Sequence, residues 1–335
     1  MATVYKIHPA IGIARIGNSP DEFFIGPEHI GEHPHPAGGF KDAQCRVKRQ
    51  AARFRIFAHH DDGTFEEVTT ANAEITWTVH LVNKKASNSR GNNESAADMT
   101  IDPGPRTLNG PDQRQMFDTG TIKFQNAPVT TVPLGEIRSD HENHLLVLGG
   151  FGRSASPRGD ALSGYFWVSQ GWYDDISDGF VKATIKLQDN STPPGVGAWV
   201  VVAPPKFAPH IDSVITLYDR VFQAMLSGGL LPNPAATSYT QDVYPILQRA
   251  RDTRWVVDIA AGIMAWPDPV TSDPLRNAVF NSLKAPGGGG DDMPLIFDSG
   301  TLDDRLTDVQ YRHMEEYHLL RLQRLHMVFG LRING

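Results

Sequence analysis

Cysteine is nearly absent from this chain. Cys45 is the single cysteine among 335 residues, so no intramolecular disulfide can form, and such usage fits a reducing compartment. Long apolar runs are missing as well. No stretch approaches the roughly 18 residues of a membrane helix, and the opening MATVYKIHPAIG lacks the basic and apolar regions of a secretory signal. These absences predict a cytoplasmic protein without a membrane partner, with export by a signal-independent route left open. Excess positive charge is also lacking. A formal net charge of −7 argues against nucleic acid or an anionic membrane surface as the main partner, because both need a basic field. The glycines of LGGFGRS (Leu148 to Ser154) are out of register for GxGxxG. The run Gly287 to Gly290 leads into Asp291 and Asp292 rather than the Lys and Ser or Thr of a phosphate loop, and no GxSxG elbow occurs. Nucleotide and hydrolase chemistry are disfavoured.

What is present describes an ordinary globular protein, 40% hydrophobic and 21% charged, long enough for about two domains. Through Pro209 the pattern is β, with short alternating runs broken by Gly, Pro, Asn and Asp. Glu74 to Val82 is the clearest run: Ile75, Trp77, Val79 and Leu81 share one face, and Glu74, Thr76, Thr78 and His80 the other. Further strands are expected at Arg53 to Phe57, His144 to Leu148, Tyr165 to Val168, Phe180 to Leu187 and Ala198 to Val202. The last is almost continuously apolar, which predicts a central strand buried on both faces. Lys48, Arg49, Arg53 and Arg55 read as the solvated side of a strand, since the last two alternate with Phe54 and Ile56. Ala86 to Pro111 is polar and rich in turn residues, as a long surface loop would be.

After Pro209 the apolar period becomes helical. Ile211 to Leu226 reads as a helix stopped by GGLLPNP, a second helix can begin near Pro245, and Pro286 to Asp292 reads as a loop or hinge. Thr307 and Gln310 form a capping box ahead of a last helix that runs through Met314 and Tyr317 toward Phe329. The apolar tail either joins the core or covers a surface that a second polypeptide, or a second copy of the chain, would complete. The expected class is α+β: a β-rich, sandwich-like region at 1–209, then a mostly helical region at 210–335 packing on it.

Several groups could carry chemistry. In GWYDDISDGF, Asp174, Asp175 and Asp178 lie close to Trp172 and could anchor a cationic amine or a hard cation. A tight turn in which these carboxylates accept backbone N–H groups is the plainer reading, because calcium-loop spacing is not met. His141 and His144 in HENH are weak metal candidates, lacking a fixed third ligand, with exposed turn histidines as the alternative. Glu315 and His318 make one ExxH where a di-iron bundle needs two, and His33 and His35 read as loop residues.

Longer blocks carry a resemblance. HPAIGIARIGNS (His8 to Ser19), FFIGPE (Phe23 to Glu28), GGFKDAQCRVKRQAARFRIF (Gly38 to Phe57), WTVHLVNKKAS (Trp77 to Ser87), LLVLGGFGRSASP (Leu145 to Pro157), GWYDDISDGF (Gly171 to Phe180) and GAWVVVAPPKFAP (Gly197 to Pro209) occur in this order. Together they resemble the amino-terminal region of the lysine ε-oxidase and glycine oxidase family, whose cofactor is a tryptophan oxidised to a quinone and cross-linked to a cysteine. In that family the cross-linked pair lies beyond anything matched here. The resemblance therefore implies a truncated relative: an oxidoreductase-type scaffold acting on an amino acid or amine, with cysteine tryptophylquinone not expected within this chain and any other cofactor unknown. Altered chemistry or a partner chain would follow, and a non-catalytic binding or assembly protein is the alternative. Cys45 sits where relatives have a small residue that does not cross-link, so it reads as a half-buried small hydrophobe. Residues of the shared blocks that could face a cleft are His80 and Asp175 as catalytic groups, and Lys84, Trp172, Asp174, Asp178 and Lys206 as substrate-binding groups. For each of them a structural or solvated role is the alternative.

Overall fold

A computed structural model of the protein describes residues 3–29, 31–89, 94–162, 164, 166–255, 280–281, 283, 285–286 and 306–319. The chain divides into two compact units, Met1–Phe207 and Ala208–Gly335. In the first unit the alternating runs become strands β1 (Thr3–His8), β2 (Ile11–Arg15), β3 (Phe23–Ile25), β4 (Arg49–His60), β5 (Phe65–Val68) and β6 (Ala73–Val82). They continue as β7 (Arg106–Leu108), β8 (Arg114–Met116), β9 (Thr121–Ile122), β10 (Thr130–Thr131), β11 (Glu136–Ser139) and β12 (Leu145–Leu148). The remainder are β13 (Ser154–Ala155), β14 (Tyr173–Asp174), β15 (Ser177–Leu187), β16 (Gly195–Val196) and β17 (Ala198–Ala203).

One thirteen-stranded sheet runs β7-β6-β15-β17-β2-β4-β12-β11-β8, with β1, β3 and β5 also paired to the long β4 and β16 paired to β1. Its end strands β7 and β8 approach each other, so the sheet nearly closes on itself. The expected sandwich of two facing sheets is replaced by this single curved sheet. The reason lies in β4: its twelve residues pair with β1 and β5 at one end and with β12 and β3 at the other, so no break separates two layers. Within the curve lie Phe54, Ile56, Trp77, Val79, Leu81, Leu145, Val147, Val181 and Val200. Trp77 is completely enclosed, and its Nε1 donates to Asn143 O at 2.8 Å. That satisfies the one polar group it carries into the core.

The expected strand at Tyr165–Val168 is instead a single tight turn, Phe166–Val168. So short an apolar run has no decisive period and fits a strand or a turn equally well, and Val168 at its end is exposed.

In the second unit the first helix starts later than the apolar spacing suggests. Thr216 caps α1 (Leu217–Ser227) by accepting from the Asp219 amide, and the Asp219 side chain accepts from the Thr216 amide. This reciprocal pair satisfies two orphan donors and fixes the helix start. α2 (Tyr244–Asp252) carries Pro245 in its first turn and follows a wide turn over Tyr239–Val243. α3 (Asp308–Leu319) begins at the expected Thr307–Gln310 box. Val243, Ile246, Leu247, Met314 and Tyr317 share one apolar cluster. Asp291, Asp292 and the tail beyond Leu319 lie outside the described residues. No described helix is long and apolar enough to cross a membrane.

Candidate functional site

The shared blocks converge where β6, β14 and the loop after β12 meet. Asn83 and Lys85 follow β6; the Asn83 Nδ2 donates to Asp174 O at 2.7 Å and to Asp174 Oδ1 at 3.0 Å. Lys85 Nζ donates to Asp174 Oδ2 at 2.5 Å and lies 3.9 Å from the centre of the Phe166 ring. Asp174 is thus held by an amide, an ammonium and its own strand. Next to it, Asp175 is 1% exposed, and its Oδ2 accepts from the Arg153 amide at 3.0 Å. Burial pushes the Asp175 carboxyl above its ordinary value, against backbone hydrogen bonds from Arg153, Phe151, Gly152 and its own amide.

That arrangement accounts for the glycines of LGGFGRS. A Cβ on Gly150 would stand 2.4 Å from Asp175 Oδ2, and Gly152 has a φ of 80°, which only glycine adopts without strain. The loop is therefore folded around the Asp175 carboxylate. Trp172 stands at the edge of the same hairpin, with its Nε1 donating to Ser154 Oγ at 2.7 Å.

His80 lies on the other side of β6, facing outward. Its Nε2 is 2.6 Å from Asp102 Oδ1, and its ring meets Phe180 edge to face at 5.6 Å between centroids. Burial opposes ionisation of Asp102, but the hydrogen bond from His80, the Gly104 amide and the nearby Lys84 charge hold its carboxyl below the ordinary range. The register carries this outer face across four strands. His80 pairs with Phe180, Phe180 with Trp199, and Trp199 with Ile11; one row along, Val82, Asp178, Val201 and Ile13 follow. Trp199 is 44% exposed and Ile11 39%. The expectation that Ala198–Val202 is buried on both faces is corrected here. Ala198, Val200 and Val202 enter the core, while Trp199 is left open.

The structure thus sorts the candidates into groups. Asp174, Asp175 and Trp172 surround the loop after β12. His80, Lys84 and Asp178 belong to the end of the β6–β15 outer face, where Asp178 is exposed. Lys206 lies past the end of β17, half-buried. His141 is exposed and His144 is not: the His144 ring nitrogens are each 2.9 Å from a carboxylate, Asp140 at Nδ1 and Glu67 at Nε2. Among the described residues no three His, Cys, Asp or Glu side chains are grouped so as to hold a metal ion.

Three partners escaped the sequence reading: Lys85, Asp102 and Glu28. Lys85 is one residue from the chosen Lys84, at the point where the strand ends and its alternation stops predicting direction. Asp102 lies in the DPGP turn, 22 residues from His80, and no local pattern joins them. Glu28 occupies the shared FFIGPE block and binds both Arg53 and Arg55. Lys48 and Arg49 are buried rather than solvated, at 8% and 0% exposure. Arg49 Nη2 lies 2.8 Å from Glu136 Oε1, and Arg114 and Arg138 bind the same carboxylate.

A cysteine–tryptophan quinone needs a sulfur against an indole. Cys45 is exposed, not half-buried as expected, and occupies a left-handed turn with a φ of 62°. Trp77 is sealed in the core, Trp172 is bound to Ser154, and Trp199 opens outward from the sheet. These residues do not fit that cofactor.

Residues 8–97 and 87–202 match the family described as L-lysine epsilon oxidase N-terminal. The L-lysine 6-oxidase of Marinomonas mediterranea is 30% identical to this chain, over 76% of the chain and 43% of that protein. The crystal structure of the L-Lys epsilon-oxidase from Marinomonas mediterranea superposes with a TM-score of 0.68 at 25% identity, covering 84% of this chain and 50% of that one. The Schiff base intermediate of that oxidase with L-Lys gives the same TM-score of 0.68 at 26% identity. The chain spans about half the length of these relatives.

Proposed function

The chain belongs to the L-lysine ε-oxidase amino-terminal family, and on that premise we propose that it is the scaffold portion of an oxidoreductase-type protein acting on an amino acid or amine. Its redox centre would come from a second polypeptide or from a further stretch of chain. Coverage supports the reading: the fold extends through 84% of this chain but 50% of the oxidase, and Cys45 is an exposed turn residue whereas Trp77 is sealed in the core. No redox step is assigned to this chain.

Its residues divide the remaining work by position. Asp178 is exposed on the outer face one row from His80, where its carboxylate can hold an ammonium group. His80, oriented by Asp102, is the group able to move a proton there. Lys84 bears on that pair through charge. Asp174 and Asp175 are positioning residues, since their carboxylates are committed to Asn83, Lys85 and the amides of the loop after β12. Trp172 braces that loop through Ser154. Lys206 lies beyond both groups and is assigned no step.

Affinity purification of the tagged chain from its native source tests the reading, with redox-cycling quinone staining of every band and peroxide release measured over a panel of amino acids and amines. The expected result is stain on a band or segment other than these 335 residues. Peroxide release should fall in His80→Ala and Asp178→Asn. Absence of both stain and peroxide release would overturn the proposal.

A further inference from the structure

A second polar site lies away from the residues just described, under the loop that follows β3. An open pocket of about 370 Å³ is lined by Glu28, His29, Glu32, His33, Arg53 and Arg55, among others. Its floor is the outer face of β4, where Arg53 and Arg55 are separated by one residue and so point the same way. Glu28, whose side chain is 6% exposed, lies between them.

The three charges do not use one another equally. Arg55 is fully engaged: Nε and Nη2 donate to Glu28 Oε2 at 2.9 and 2.6 Å, and Nη1 to Glu67 Oε2 at 3.2 Å. Arg53 gives Glu28 only its Nε. No described residue accepts from its two terminal nitrogens, and the side chain is 34% exposed in the pocket floor. A guanidinium held at one edge by a buried carboxylate, with its fork open, matches the planar, bidentate geometry of a second carboxylate. Holding Nε in place also removes much of the ordering cost that a free arginine would meet on binding. The imidazole of His29 on the pocket wall adds a hydrogen-bonding group for the remainder of such a ligand. Glu32 on the same wall disfavours ligands carrying several negative charges.

We propose that this pocket binds a small monocarboxylate, or a zwitterion bearing one carboxylate, on the open fork of Arg53. The site requires neither a redox centre nor the Asp178 face. Binding without turnover would sustain this inference even if the oxidase reading failed.

Ligand-observed NMR on the full chain tests it, using sodium propionate, glycine and propylammonium chloride at matched ionic strength, with sodium chloride as control. Propionate and glycine should show saturable binding that sodium chloride does not reproduce, and the response to propylammonium, which the Asp178 face can hold, should be the same in the parent and in Arg53→Met. Arg53→Met should weaken propionate binding by about tenfold or more, the scale of losing a charge-assisted bidentate contact. Arg53→Lys keeps the charge that faces Glu28 without the fork, and should bind propionate nearly as weakly as Arg53→Met while melting close to the parent. Linear, non-saturating responses to propionate and glycine would overturn the proposal, and so would equal affinity in the parent and Arg53→Lys.

Discussion

Along β4 and β11 the outward positions of the sheet hold Arg49, Arg53, Arg55, Glu136 and Arg138, and between them β12 contributes Leu146 and Leu148, which pack with Ala51 and Phe23. Along β6, β15, β17 and β2 the outward positions hold His80, Phe180, Asp178, Trp199 and Ile11. One continuous core lies behind both. The first stretch is closed by fixed charge pairs, since Glu136 gathers Arg49, Arg114 and Arg138, and Glu28 gathers Arg53 and Arg55. The second mixes His80 and Asp178 with Phe180 and Trp199 and is more open, with Trp199 44% exposed. Identical alternation in sequence therefore gives one outer face that supports itself and another that can receive a partner or substrate.

The sharpest way to break this contrast is to remove the centre of the closed face. Glu136→Ala leaves Arg49 buried without its counter-charge, which should cost about 3–5 kcal/mol in urea unfolding; a loss below about 1 kcal/mol would show the ion pairs to be incidental. Acid probes the same closure. For Glu28 and Glu136, burial opposes ionisation, but hydrogen bonds and the arginine charges outweigh it and hold both carboxyls below their ordinary 4.5. A depressed folded-state value contributes stability above pH 4.5 that is lost as pH falls through the folded values. Thermal melts should drop in that window, and Glu28→Gln should flatten the drop. Asp175 has the opposite sign. Its raised value contributes fully below an ordinary aspartate's 3.8, and the contribution fades as pH rises through the folded value.

Smaller effects come from the junction and then from the open face. Asp175→Ala removes the buried acceptor that the Arg153 amide meets, so it should lose about 1–3 kcal/mol and speed hydrogen exchange at Phe151–Arg153. Unchanged exchange there would remove Asp175 from its positioning role. Asp102→Asn, at a partly exposed pair, should cost no more than about 1 kcal/mol in thermal or urea unfolding. Trp199→Ser should be the mildest, within about 0.5 kcal/mol for the isolated chain. A much larger loss would mean that this face is already covered.

The fold was legible wherever a residue's direction follows from period. Ile75, Trp77, Val79 and Leu81 turn inward as their alternation requires, and the capping box at Thr307 and Gln310 starts α3. The family was legible in the ordered blocks from His8 to Pro209, which match over residues 8–202. Long-range pairing was not. Glu28 meets Arg55 across 27 residues and His80 meets Asp102 across 22, and no local spacing specifies either. The continuous apolar run at Ala198–Val202 implied two covered faces because its composition records what the strand is suited to contact. Among the described residues Ala198, Val200 and Val202 are covered and Trp199 is not.

Intact-mass spectrometry of the purified chain tests the central claim most directly, that this scaffold carries no redox centre of its own. The mass of the unmodified sequence is expected. A mass showing oxygen added to a tryptophan with hydrogen lost to a thioether at Cys45 would contradict it.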